Sequence, residues 1–270
     1  MYKLAVFDLD GTLLNNQHEI SDENINALNR LKKTGCIVSI ATGRTDLLVK
    51  EYVKKIGLEV PVIACNGGLI RNTNTGEILY KRVMPKSKVA QIIDICINKK
   101  ITYMIYTKDY IITIPSDRLE YFEKRNEILD EDCKVKFIVS SDLDFIVEQH
   151  EVYKVLIIEK NSIKFDLISE QFNEIEGITM CQSSNGLMDF MLEGTSKQKA
   201  IELLAKENNI LPEEIVAFGD NYNDIDMLRY AGCAITTSNG IEEVKSIANF
   251  ISCSNNDNGI AYAIDNYILK

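Results

Sequence analysis

The sequence has no tryptophan, two histidines and four prolines among 270 residues. The histidines, His18 and His150, lie far apart in polar stretches, which argues against a histidine-based zinc site and against a Ser-His-Asp triad. No run reaches the roughly 20 apolar residues that a membrane-spanning helix needs. The start, Met1-Tyr2-Lys3-Leu4, runs straight into Asp8 and Asp10 and so lacks the apolar stretch of a signal peptide. The seven cysteines form no CxxC pair, and their odd number and wide spacing suit free buried thiols in a reducing cytoplasm. Positive charge is in deficit: Lys plus Arg is 30, Asp plus Glu is 40, and the net charge is −10. Such a chain is a poor partner for nucleic acid or an anionic membrane. An anionic ligand must then be met locally, by a metal ion or a few placed cations.

What is present suits a sizeable core. Apolar residues make up 46% of the chain, and its length accommodates one large or two modest domains. Leu4-Ala5-Val6-Phe7, Ile37-Val38-Ser39-Ile40-Ala41, Pro61-Val62-Ile63-Ala64-Cys65 and Ile215-Val216-Ala217-Phe218 read as strands buried on both faces. Helices are expected between them, one capped by Ser21 and ended by Gly35, others over 46–56, from Ser196, and over 224–230. Strands alternating with helices imply a parallel sheet with right-handed crossovers. Between about 83 and 186 the pattern changes. A helix over 87–99, a hairpin over 103–107 and 110–114, and further strands near 136–139, 153–158 and 179–181 suggest an antiparallel α+β module. The expected fold is α/β: a Rossmann-like parallel-sheet core from 1–82 and 187–270, with an inserted α+β domain at 83–186.

In an open parallel sheet, ligands gather beyond the carboxyl ends of the strands. There the sequence places Asp8-Leu9-Asp10-Gly11-Thr12, Thr42-Gly43-Arg44, Asn66-Gly67-Gly68 and Gly219-Asp220-Asn221-Tyr222-Asn223-Asp224. Each piece alone reads as turn chemistry. Together, in one orientation, they assemble four carboxylates, a hydroxyl, an arginine and amides. Asp8 and Asp10 point the same way with Cα atoms about 6–7 Å apart. With Asp220 nearby they repel unless a cation or a shared proton intervenes. Oxygen ligands without sulfur or imidazole suit Mg²⁺. Lys197, in the first turn of its helix, adds a cation where the helix dipole favours an anion.

These motifs resemble those of the haloacid dehalogenase superfamily of Mg²⁺-dependent phosphohydrolases, and the chain resembles the Cof-type (subclass IIB) phosphatases along essentially its whole length. The resemblance implies that the insert is a type IIB cap that closes over the active site and contacts the leaving group. It implies Asp8 as nucleophile, forming an aspartyl-phosphate, and Asp10 as general acid and base. Thr42, Lys197 and Asn223 would hold the phosphoryl oxygens. Gly43, Arg44, Asn66 and Gly67 are further candidates for substrate binding. Asp8, the backbone carbonyl of Asp10, and Asp220 would hold Mg²⁺, with Asp224 in support. The chain departs from the usual pattern at Gln198, at Glu193-Gly194-Thr195, and at Thr237-Ser238-Asn239, where many relatives carry Met-Gly-Asn. The expected function is hydrolysis of small phosphorylated metabolites, such as sugar phosphates or phosphorylated cofactors, in the cytoplasm. A phosphomutase and a non-catalytic phospholigand sensor are the alternatives; an intact nucleophile weighs against the sensor. Tyr103, Tyr106 and Tyr110 of the hairpin region could contact substrate but better fit packing on a half-buried sheet.

Overall fold

The apolar run Leu4–Phe7 forms β1, with all four residues buried. α1 (Asp22–Lys33) begins where the Ser21 hydroxyl accepts from the Asn24 N–H, with Asp22 and Glu23 complementing the helix dipole. Its Ala27, Leu28 and Leu31 face the core. Then follow β2 (Ile37–Ile40), α2 (Lys50–Ile56), β3 (Val62–Ala64), β4 (Leu69–Arg71) and β5 (Ile78–Lys81). A computed structural model describes residues 1–184 and 186–270. They form two units: Met1–Tyr80 with Ser196–Lys270, and Lys81–Thr195.

The second unit contains α3 (Lys86–Lys99), β6 (Thr102–Tyr106), β7 (Ile111–Thr113), α4 (Asp117–Ile128), β8 (Phe137–Val139), α5 (Leu143–Gln149), β9 (Lys154–Ile158), α6 (Ser162–Phe172), β10 (Ile178–Ser184) and β11 (Leu187–Leu192). Its six strands run in the order β10-β11-β9-β6-β7-β8. Alternate strand residues, among them Tyr103, Ile105, Val155, Ile157 and Phe190, share one core with Val89, Ile92 and Ile93 of α3, Ile146 of α5 and Phe165 and Phe172 of α6. Tyr103 belongs to that core and donates its hydroxyl to the Ser140 carbonyl at 3.2 Å, as the packing reading expects. Lys154 and Asp189 form a buried ion pair at 2.8 Å.

The chain then returns to the first unit with α7 (Lys197–Glu207), β12 (Ile215–Phe218), α8 (Ile225–Tyr230), β13 (Cys233–Thr237), α9 (Glu242–Ile247), β14 (Phe250–Ser252) and α10 (Gly259–Ala263). The main sheet has the order β14-β13-β12-β1-β2, all parallel. A parallel bridge between Ala41 and Ile63 sets β3 beside β2. Phe7 and Phe218, paired across β1 and β12, stack with ring centroids 4.3 Å apart. Helix side chains close both faces of this sheet, as continuously apolar parallel strands require.

Several expectations need correction. The helix expected over 46–56 begins only at Lys50, after a 3₁₀ turn at Asp46–Leu48. Asp46 is engaged by Thr45 and Arg71 instead of opening a helix. The module is not purely antiparallel, because β7 and β8 pair in parallel. The intervening α4 is the long crossover that parallel pairing needs. β11, whose residues 187–192 were assigned to the core, pairs on both sides within the module's sheet. The chain therefore re-enters the first unit at Ser196. The strands β4 and β5 and the helix α5 were not foreseen from the sequence. Among the described residues no two cysteines are joined in a disulfide, and no helix is long and apolar enough to cross a membrane.

Candidate active site

Parallel pairing brings the carboxyl ends of β1, β2 and β12 to one edge of the sheet, with Phe7 level with both Ile40 and Phe218. The next residues form the site. The Asp8 N–H continues the ladder to the Phe218 carbonyl at 2.9 Å, so the backbone itself fixes where the Asp8 side chain starts. Asp8 is buried. Lys197, the first residue of α7, reaches it across 189 sequence positions, with Nζ 2.6 Å from Asp8 Oδ1 and 2.6 Å from Asp224 Oδ1. Gly67 permits this approach. It has φ +94°, and a Cβ there would lie 2.2 Å from the Ser196 carbonyl oxygen.

Asp224 serves the loop after β12. Its Oδ2 accepts from the backbone N–H groups of Asp220 and Asn221 at 2.9 and 3.0 Å. With both oxygens engaged, Asp224 positions Lys197 and Asp220. Asp220 is itself held by the Thr12 hydroxyl, which donates to Oδ1 at 2.6 Å. Carboxylate oxygens of Asp8, Asp220 and Asp224 lie within 4.8 Å of one another. Burial, and then the Asp224 charge, push Asp220 up to about 7. Burial also drives Asp8 well above the ordinary carboxylate range; Lys197 opposes that shift, and Asp224, Asp220 and Asp10 add to it. Burial works to lower the Lys197 pKa, but the charges of Asp224 and Asp8 more than reverse this and hold it above the usual lysine value. One ammonium therefore faces three buried carboxylates. With all three ionised, two negative charges would be unmatched, the charge of one divalent cation. The donors are all hard oxygens, so the cluster fits Mg²⁺.

Asp10 lies apart from this cluster. Its side chain is 47% exposed and is clasped by Arg44, with Nε 2.7 Å from Oδ2 and Nη2 2.5 Å from Oδ1. Desolvation works to raise its pKa, but the Arg44 charge and hydrogen bonds from His18 and Arg44 hold the carboxyl well below the usual range. Arg44 also donates to the Tyr52 hydroxyl at 3.2 Å, and Tyr52 donates to the His18 carbonyl at 3.1 Å. The Asp10 side chain thus turns to Arg44 and not to the carboxylates around Lys197. Thr42 is buried, and its hydroxyl accepts from the Arg44 N–H at 3.1 Å. Asn223 donates to Asn66 Oδ1 at 3.0 Å, linking the loops after β3 and β12. A Cβ on Gly43 would sit 3.0 Å from that same oxygen.

Sequence reasoning missed Tyr52, which reads as an ordinary apolar-face residue of α2, and the grip of Thr12 on Asp220. The position of Thr12 in the Asp-x-Asp-Gly-Thr stretch was the available signal. What the arrangement offers chemically is a buried carboxylate held by a cation, a second carboxylate open to solvent, and a charge deficit suited to a metal.

Comparisons with known proteins give the family and the fold. A family model described as haloacid dehalogenase-like hydrolase matches residues 5–264. The chain is 28% identical to the 5-amino-6-(5-phospho-D-ribitylamino)uracil phosphatase YwtE of Bacillus subtilis, over 97% of each chain. It is similar to the solved structure of a haloacid dehalogenase-like hydrolase from B. subtilis, with TM-score 0.86 and 27% identity, covering 98% of this chain and 99% of that one. It shares its fold with a sugar phosphatase of haloacid dehalogenase subclass IIB, with TM-score 0.81 and 23% identity, covering 99% of this chain and all of that one.

Proposed function

The chain belongs to the haloacid dehalogenase-like hydrolase family and is a phosphatase, and from that premise we propose that it hydrolyses small phosphorylated metabolites with Mg²⁺, through an aspartyl-phosphate on Asp8. The observation that carries this reading is the charge imbalance at Asp8, Asp220 and Asp224, with Lys197 as their buried counter-charge. Asp8 and Asp220 would hold the cation together with the Asp10 carbonyl. Bound there, Mg²⁺ would offset charge on the transferring phosphoryl group.

The chain's own residues account for the rest. An Asp8 carboxylate oxygen attacks phosphorus, and the bond from phosphorus to the ester oxygen breaks. The departing oxygen takes a proton from Asp10. Water then attacks phosphorus and gives a proton to the Asp10 carboxylate, the bond to Asp8 breaks, and orthophosphate leaves. Held ionised by Arg44, Asp10 is in the form that the second step needs. The first step needs its protonated form, so the Arg44 contact must loosen as the ester binds. Thr42, Lys197 and Asn223 would hold the phosphoryl oxygens. Gly43, Arg44, Asn66 and Gly67 would shape the rim. The 81–195 unit, with a core of its own inserted into the catalytic chain, would select the leaving group. The ribitylamino-uracil and sugar phosphatases named above make polyhydroxylated phosphate esters the first compounds to try.

The test is phosphate release from a panel of such esters and one activated aryl phosphate. Release that needs both Mg²⁺ and Asp8, and is lost with EDTA or in Asp8→Asn, is the expected result. Ester binding without release by the intact protein would overturn the reading.

A further inference from the structure

The loop that carries Asp8 and Asp10 is anchored by side chains from the end of β13 and the segments that follow it. Gly11 has φ +83°, and a Cβ there would lie 2.3 Å from Asp220 Oδ2. The Gly11 backbone thus lies directly against the Asp220 carboxylate, while the next residue, Thr12, holds that carboxylate's other oxygen. Among the described residues no backbone N–H reaches the Gly11 carbonyl. Two side chains do: Thr237 Oγ1 donates at 3.2 Å and Asn239 Nδ2 at 2.8 Å. Asn239 is fixed in turn, its Oδ1 accepting the Asn255 N–H at 2.9 Å. Asn255 then donates to the Leu14 carbonyl at 2.9 Å, at the other end of the same loop. Thr237 and Asn255 are both buried. The bracket closes on itself and spans more than 220 positions of sequence.

We propose that Thr237 and Asn239 are positioning residues for the divalent-cation site, acting through the Gly11 carbonyl. This rests on the cation reading given above. The Asp10 carbonyl belongs to the peptide immediately before Gly11, and Asp220 packs on the Gly11 backbone. Pinning the Gly11 carbonyl therefore sets two of the expected cation ligands at once.

The test is calorimetric titration of the whole chain with Mg²⁺, alongside steady-state kinetics and thermal melting of Thr237→Val, Thr237→Ser and Asn239→Ala. Thr237→Val removes one hydrogen bond and should weaken cation binding about 3–10-fold. Thr237→Ser keeps the hydroxyl and should bind within about twofold of the unaltered chain, as expected when the bond is retained. Asn239→Ala breaks the bracket in two places and should cost about tenfold or more. At saturating Mg²⁺ the KM for the ester should stay within about twofold, because these residues do not hold the phosphoryl group. Variants that melt lower but bind Mg²⁺ like the unaltered chain would overturn the proposal and leave the bracket a purely structural tie. If Thr237→Val does not fold, the titration of Asn239→Ala decides alone. An unaltered chain that binds no Mg²⁺ would overturn this proposal and the cation reading together, whereas unaltered binding in the variants overturns this proposal only.

Discussion

Among the described residues two lysines are buried against aspartate, one in each unit, and they differ in charge balance. Lys154 meets Asp189 at 2.8 Å in the sheet of the second unit, with its ammonium 4.7 Å above the Tyr106 ring. Lys197 meets Asp8 and Asp224, with Asp220 a third carboxylate beside them. A buried pair that cancels is a structural tie whose desolvation cost roughly matches its attraction. A buried cluster in which carboxylates outnumber the cation is unstable alone and calls for a further positive charge. Burial of an ion pair is therefore no mark of function here; the excess charge is.

The sharpest way to break this comparison is to remove the nucleophile. Asp8→Asn should reduce phosphate release by at least about a thousandfold, while the chain still folds, since one of the crowded carboxylates has gone. Next, Lys154→Met should cost about 3–5 kcal/mol by removing the ammonium paired with the buried Asp189, seen as a fall in melting temperature that Mg²⁺ does not reverse. The double variant Lys154→Met with Asp189→Leu should regain most of that loss, because replacing both partners leaves no unpaired charge. The first unit should behave differently towards metal. Mg²⁺ at a hundred times its Kd should stabilise the unaltered chain by about 2.7 kcal/mol, and Asp220→Asn should remove most of this response in a thermal shift. At the small end lies the exposed pair Lys160–Asp117, at 3.2 Å. Lys160→Ala should leave the melting temperature unchanged within error, because solvent screens exposed pairs.

Much of the site was legible because its residues follow apolar strands. Asp8, Thr42 and Asn66 come directly after an apolar run such as Leu4–Phe7, Asp220 follows Ile215–Phe218 by one glycine, and parallel strands bring such positions to one edge. The second unit was harder to read. Its strands carry charged residues inside buried runs, Lys154 in β9 and Asp189 in β11, and β11 lay hidden in a stretch whose Asp189 looks like a surface residue. Its burial goes with its pairing to Lys154 across the sheet. Side-chain partners were equally out of reach: nothing in the spacing says that Arg44 clasps Asp10, or that Thr12 serves Asp220.

The sequence by itself determined which chemistry stands at each strand end, since apolar runs choose the strands and the residues just beyond them must lie at the sheet's edge. Only the tertiary structure decided the charge balance. Lys197 is 189 positions from Asp8, Asp10 turned from the carboxylate cluster to Arg44, and Gly11 came to lie against Asp220 under the reach of Thr237 and Asn239. The strength of an ion pair or hydrogen bond depends on separation and burial, which are settled only when the chain has closed around them.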